Sequence, residues 1–292
     1  MFPSAVPEVC SYLYETMVQL LNDKAALIRH IIRVLHKYAG LNHTFLQGEV
    51  DQAAGAGVLL LLGTRHDKKG LSGEPCLILN KRSRKVRQPG DLCCPGGSVA
   101  PRFDPIFARL LSLPITSLGR WKYWPQWKKH RPRAARLLSL FWATGLRESL
   151  EEMRLNPFGV QFLGLLPPQP LVMFDRTIYP MAAWIKRQKR FFPNWEVAKI
   201  VEIPFTDLLN PANYGRYRLR MGAPGNSKPS GSMRDMPCFR FQSNGNRELL
   251  WGATYRITTV FLNYVFDFRP PVLEKLPVTE GVLDKSYLTG QK

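Results

Sequence analysis

Two patterns in this chain of 292 residues predict an α/β fold. Short continuous apolar runs, of which Val58–Leu62 is the clearest, have the character of strands buried on both faces. Between them lie longer segments whose apolar residues recur at helical spacing, notably within 8–39, 134–155 and 253–266. Apolar residues at 45% and charged residues at 22% are ordinary for a globular chain able to bury one large core with additions. The net charge of +19 is not ordinary, and it calls for an anionic partner: nucleic acid, an acidic membrane surface or a small polyphosphate. Cysteines at 10, 76, 93, 94 and 238 form no metal-ligand spacing, and the adjacent pair Cys93–Cys94 makes a poor disulfide. A reduced, cytoplasmic setting is expected on that basis, with no signal-peptide pattern and no apolar segment of bilayer length.

Taken in order, residues 8–39 predict one long helix or two shorter ones, packed on the core and stopped at Gly40. Val58–Leu62 and Pro75–Asn80 predict strands joined by the polar loop 64–74. A short helix is expected at Ile106–Leu113, ended by Pro114. From Ala134 an apolar periodicity leads toward Leu155. As one continuous helix it would measure about 33 Å at ~1.5 Å per residue, with a break at Thr144–Gly145 as the alternative. Strands follow at Val160–Leu166, Thr177–Lys186 and Val197–Ile203, then a short helix at 204–209. Tyr214–Met221 and Met236–Gln242 have strand character and flank a Gly-, Pro- and Ser-rich loop. Ala253–Phe266 is a strongly apolar helix ended by Pro270–Pro271, and the tail from 272 is expected to be extended and weakly structured.

The chemistry centres on Gly145-Leu146-Arg147-Glu148-Ser149-Leu150-Glu151-Glu152-Met153-Arg154-Leu155. One helical turn brings Glu148 close to Glu151 and Glu152, and Arg147 reaches Glu151 at i,i+4. One arginine cannot neutralise three carboxylates. A hard divalent cation can, because Mg²⁺ and Mn²⁺ prefer carboxylate oxygens and bind readily beside phosphate. The plainer reading of such a helix is a solvated acidic face.

Upstream residues decide between these readings. Lys81-Arg82-Ser83, then Arg87, Pro89-Gly90 and Pro95-Gly96-Gly97, describe a strand entering a tight glycine loop. A Pro-Gly-Gly loop followed by Arg-Glu-x-x-Glu-Glu resembles the box of the Nudix hydrolases. The basic prefix narrows the resemblance to the coenzyme A diphosphatase branch of that superfamily. Glu196-Val197 leading to Ile203-Pro204-Phe205-x-x-Leu208-Leu209, and Trp251-Gly252-Ala253-Thr254 before an apolar helix, agree with it. The resemblance spans roughly 54–268.

It implies an α/β/α sandwich with a mixed sheet, organised as a helical extension at 1–52, the Nudix domain at 53–270 and a tail at 271–292. Glu148, Glu151 and Glu152, with the Gly97 carbonyl, would hold Mg²⁺ or Mn²⁺, and Arg147 would orient the acids. Arg82, Ser83, Arg87, Gly96 and Gly97 would bind substrate. The general base would be Glu148 or Glu152, or a later acid such as Asp175 or Glu196. The implied reaction is metal-dependent hydrolysis of the diphosphate in coenzyme A or acyl-coenzyme A, giving phosphopantetheine (or its acyl form) and adenosine 3',5'-bisphosphate. The alternatives are another nucleoside diphosphate derivative as substrate, or a non-catalytic binding module for an anionic surface. A homodimer is a further expectation.

The chain departs from the family pattern at named positions. Forty-two residues separate Asp104 from Arg147 where the family has about seven, and Phe103 takes the usual place of the box acid. Cys94 replaces the phenylalanine before Pro-Gly-Gly, the loop between Arg87 and Gly90 is one residue short, and Arg154 replaces the glycine that closes the catalytic helix. The insert, 105–143, holds eight Lys or Arg and no acid. Trp121, Trp124 and Trp127 interleave with Lys122, Lys128, Lys129, Arg131, Arg133 and Arg136. That mixture suits an anionic membrane or an acyl-coenzyme A, with nucleic acid ranked lower for want of an open stacking face. The alternative is that the tryptophans are core residues anchoring the insert.

Overall fold

A computed structural model of the chain describes residues 17–41, 55–66, 73–171, 176–221, 233–243, 245–283 and 287. The elements, in order, begin with α1 (Lys24–Leu41), β1 (Gly55–His66), β2 (Gly73–Arg82), β3 (Leu92–Cys93) and β4 (Gly96–Ser98). The insert follows as α2 (Asp104–Leu111) and α3 (Trp124–His130), and leads into α4 (Pro132–Met153). Then come β5 (Val160–Leu165), β6 (Gln169–Leu171), β7 (Arg176–Ile185), β8 (Val197–Pro204), α5 (Phe205–Leu208) and β9 (Tyr214–Met221). Last are β10 (Met233–Ser243), β11 (Asn246–Trp251), α6 (Gly252–Phe266) and β12 (Val278–Leu283).

Eight strands form a mixed sheet along β3-β2-β1-β7-β5, with β4 paired to β1, β6 to β7 and β8 to β2. The central pair β1 and β7 is parallel, from Gly55 opposite Thr177 to Leu62 opposite Trp184. Both strands are covered on both faces, which is why Val58–Leu62 has no polar alternation. Leu59 and Leu61 pack toward α4, whereas Leu60 and Leu62 pack with α1 and α6. This is an α/β Nudix-like sandwich with a mixed sheet, extra helices at the N-terminal side and a helical insert. A second sheet, β11-β10-β9-β12, stands beside it.

The N-terminal segment is two helices rather than one. Residues 17–22 are helical, and Asp23 breaks the run by accepting the amides of Ala25 and Ala26, each at 2.9 Å, to cap α1. Positions 1–16 lie outside the described residues. Leu27, Ile31 and Leu35 of α1 are fully buried, so this helix is part of the core. Of the two alternatives for 134–155 the continuous one holds: α4 runs 22 residues, with no break at Thr144–Gly145. Gly145 serves close packing instead: a Cβ there would come within 2.9 Å of Leu59 Cδ2 on β1.

Three further expectations are corrected. The tail is not weakly structured, because β12 adds to β9 in parallel register and Tyr287 is buried. The span 167–176 contains β6, and β11 was not anticipated. The tryptophans of the insert do not face outward to a membrane: Trp121, Trp124 and Trp127 are all buried against α4 and the sheet. Trp121 meets Phe162 edge-on with centroids 5.0 Å apart, and Arg131 donates to the Ala39 carbonyl of α1 at 3.2 Å. Indoles are the largest apolar units available to the insert, and they pin it to the domain. Among the described residues no helix is long and apolar enough to cross a membrane.

Candidate metal and active site

Strand β4 pairs with β1 through Gly57 opposite Gly97 and lies beside the last two turns of α4. Gly96 has φ +141, outside what other residues readily adopt, and a Cβ on Gly97 would sit 2.6 Å from the Glu148 carboxyl. The two glycines therefore let a helix-borne carboxylate lie directly on the strand. Glu152, one turn further along, accepts from the Gly96 amide at 3.3 Å and from Asn80 Nδ2 at 2.9 Å through the same Oε2. Glu148 and Glu152 thus converge on one edge of the sheet.

Arg147 ties this edge together. Its Nη2 donates to the Ser98 carbonyl at 2.9 Å and to Glu148 Oε1 at 3.1 Å. Its Nε donates to Asp104 Oδ1 at 2.8 Å, and Nη2 also reaches Asp104 Oδ2 at 3.3 Å. Asp104 is fully buried and accepts in addition from Thr144 Oγ1 at 2.8 Å and the Ala100 amide at 2.7 Å. Forty-two residues lie between the arginine and the acid, yet they make a forked pair, so the insert leaves from and returns to the same point. Phe103 is exposed, and the acid one position later supplies the buried contact.

Glu151 differs from the other two. It lies on the exposed side of α4, paired to Arg147 Nη1 at 3.2 Å, with a side chain 56% exposed against 22% for Glu148. Among the described residues no group of three or more His, Cys, Asp or Glu side chains is close enough to hold a metal. The carboxylates that converge are Glu148 and Glu152, and Glu196 lies near enough to raise both. Burial, with the neighbouring Glu148 charge next in size, pushes the Glu152 carboxyl up to about 8, against the opposing Gly96 hydrogen bond. Burial likewise raises Glu148, against the partial compensation of Arg147. Two crowded, part-buried carboxylates offer the oxygen ligands that a hard divalent cation prefers.

The prefix residues form a loop closing β2 onto β3. The Arg82 amide donates to the Asp91 carbonyl at 2.9 Å, and the Gly90 amide returns to the Arg82 carbonyl at 3.0 Å. Arg82 Nε donates to the Arg87 carbonyl at 2.6 Å, and its charge acts to lower Glu152. Ser83 Oγ accepts the Lys85 amide at 3.3 Å, and Arg87 is exposed. Cys94 is buried and Cys93 half-buried; desolvation pushes the Cys93 thiol up to about 12, which makes it a poor nucleophile. Asp175 lies outside the described residues.

Two site residues had escaped the sequence reading. Asn80 ends a buried strand and carries no motif, though its position two residues before Arg82 on the same strand face was readable. Arg176 donates to Ser98 Oγ at 2.6 Å from the exposed rim. It precedes the strand expected at Thr177–Lys186, and only the pairing of β1 with both β7 and β4 brings it there.

The Arg-Glu-x-x-Glu-Glu helix laid on a Gly-Gly strand is the arrangement that the Nudix resemblance implies. No family model matches the chain. A curated relative, described as the uncharacterized Nudix hydrolase NudL of Pectobacterium atrosepticum, is 39% identical over 72 residues, which cover 24% of this chain and 37% of that protein. The chain therefore matches little more than a third of that relative's length. Solved structures give weak overall likeness. A Nudix hydrolase from M. smegmatis, RenU, has a TM-score of 0.33 at 14% identity, over 53% of this chain and 73% of that one. One from Alicyclobacillus acidocaldarius has 0.34 at 13%, over 56% and 83%. Over its 72 residues, the sequence match is to a Nudix hydrolase.

Proposed function

We propose that the protein is a divalent-metal-dependent hydrolase of a nucleoside diphosphate derivative, with coenzyme A or acyl-coenzyme A as substrate. The observation that carries the hydrolase reading is the convergence of Glu148 and Glu152 on Gly96–Gly97. Glu148 and Glu152 would hold Mg²⁺ or Mn²⁺, with the Gly97 carbonyl and Glu151 as further candidates. The cation, when bound, supplies charge neutralisation at the phosphates and activates water. Arg147 fixes Glu148 and the β4 backbone in place. Asn80 holds Glu152 Oε2, leaving its other oxygen for a ligand. Glu196, beside both acids, is the candidate to accept a proton from the attacking water. Arg82 and Arg87, with Ser83, stand at the mouth where substrate phosphate would bind, and Arg176 extends this basic rim.

The coenzyme A assignment rests on the prefix resemblance, and the match to the curated Nudix relative supports only the coarser hydrolase reading. It is tested by a panel of coenzyme A, acyl-coenzyme A, NADH and ADP-ribose, with and without Mg²⁺ or Mn²⁺. Metal-dependent turnover is expected for the coenzyme A compounds first. Preference for ADP-ribose or NADH would remove the coenzyme A reading, and inactivity on all four with folded, metal-supplied protein would remove the hydrolase reading for this substrate range. Within the panel, Arg82→Ala should raise KM for coenzyme A several-fold more than for a substrate lacking the ribose phosphate. Equal losses would make Arg82 structural.

A further inference from the structure

Once the tryptophans are assigned to the core, a different surface of the insert remains unexplained. Helix α2 and its flanks expose Phe103 at 68%, Ile106 at 68%, Leu110 at 43% and Leu113 at 45%. Phe103, Ile106 and Leu110 follow helical spacing and form an apolar stripe along the outside of the helix, which Leu113 continues just past its end at the rim of the cavity below. The opposite side of α2 is already packed on α4 through Ala108 and Leu111. The stripe is thus surplus to the fold. The neighbouring face of α2 borders a cavity of about 920 Å³ shared with α3 and α4, lined by Arg109, Lys128, Arg133 and Arg136 and by no acid. None of these four cations makes an ion pair among the described residues.

We propose that α2 is a docking element for an anionic bilayer surface, lying in the boundary between headgroups and acyl chains. Ile106, Leu110 and Leu113 enter the apolar layer, while the cations at the cavity meet lipid phosphates. The juxtaposition of a surplus aliphatic stripe with unpaired cations is what selects this occupant. A second copy of the chain would set eight cations of one insert against eight of another with no acid between them. Nucleic acid would match the charge but find no stacking partner, because the insert's indoles are buried and the stripe is mainly aliphatic. The proposal goes beyond the hydrolase reading and does not depend on it. Because Asp104, at the head of α2, holds Arg147, docking would present the candidate site close to the membrane.

The test is co-sedimentation of the full chain with phosphatidylcholine vesicles, with and without phosphatidylglycerol, at low and high salt. The variants are Ile106→Ser with Leu110→Ser, and Arg133→Gln with Arg136→Gln. All four side chains are exposed, so both variants should keep the wild-type melting temperature and turnover of a soluble substrate. Wild type should pellet with anionic vesicles at low salt, and each double variant should weaken partitioning roughly tenfold or more. Failure of wild type to bind at low salt would overturn the proposal. So would a serine variant that binds like wild type, which would reduce the surface to charge alone. Light scattering and a single-stranded DNA arm run alongside: a dimer or DNA complex abolished by the serine variant, without vesicle binding, would assign the stripe elsewhere and also overturn it.

Discussion

Two glutamates in this molecule, Glu248 buried and Glu152 half-buried, sit in opposite electrostatic environments. Glu248, on β11, lies between Lys81 Nζ at 2.9 Å and Lys199 Nζ at 2.6 Å, cations that face each other across β2 and β8. Burial alone would raise its pKa, but the two lysines outweigh burial and hold it below the ordinary value. Glu152 has an amide and a side-chain carboxamide for partners, with another carboxylate as neighbour, and burial drives it up to about 8. One acid is neutralised by the fold and ties two sheets together. The other is left wanting a cation. That Glu248 is satisfied while Glu152 is left beside Glu148 supports the proposal that the second pair serves a ligand rather than stability.

The largest expected effect follows from that contrast. Glu152→Gln keeps the shape and the Asn80 and Gly96 contacts but removes the charge. Turnover should fall by about 10²-fold or more, in line with deleting a group that acts on developing charge. The melting temperature without metal should stay the same or rise. Turnover within about threefold of wild type would refute the assignment, since groups of this kind usually cost far more.

Glu248→Gln should do the reverse. It strands Lys81 and Lys199 opposite one another, and because both are partly exposed the cost should fall below that of a fully buried pair, at about 2 kcal/mol. Activity per folded molecule should be unchanged. Chemical denaturation reads the first and specific activity the second; an inactive but fully stable variant would erase the distinction between the two acids.

A smaller effect comes from pH. A carboxyl raised in the folded state holds its proton there after the unfolded chain has lost it, so stability falls as pH climbs from the ordinary 4.5 toward about 8. A cation that prefers the charged form offsets this loss. Saturating Mn²⁺ should therefore raise Tm more at pH 8 than at pH 5.5. An equal rise at both values would indicate binding elsewhere.

The smallest effect is at the end of the same helix. Arg154 closes α4 in the left-handed region at φ +57, where the family pattern has glycine. The Arg154 and Leu155 amides still return to the Leu150 and Ser149 carbonyls at 3.0 and 3.3 Å. Arg154→Gly should stabilise by about 1 kcal/mol, the usual cost of that conformation for a residue with a Cβ. Loss of stability instead would show that the arginine side chain contributes more than its backbone strain costs.

Much of this was readable in the chain itself. Val58–Leu62, the periodicity of 134–155 and the Gly-Gly and Arg-Glu-x-x-Glu-Glu motifs located the sheet centre, α4 and the facing strand, because local pattern dictates each. What stayed hidden depended on long-range contact. The pairing of Asp104 with Arg147 was masked by the insert between them. The tail's β12 has no partner until β9 is in place. The burial of Trp121, Trp124 and Trp127 could not be told from an interfacial row, since aromatic and basic residues alternate identically in both. A short helix was expected at Ile106–Leu113, but which of its apolar residues face outward is set by Asp104 anchoring the other side of α2.

The central claim is that Glu148 and Glu152 form a divalent-cation site while Glu248 does not. Isothermal titration of Mn²⁺ into wild type, Glu152→Gln and Glu248→Gln tests it without reference to any substrate. Saturable binding should appear in wild type and in the folded Glu248→Gln protein, and should be lost or weakened at least about tenfold in Glu152→Gln. Equal binding by wild type and Glu152→Gln would contradict the account.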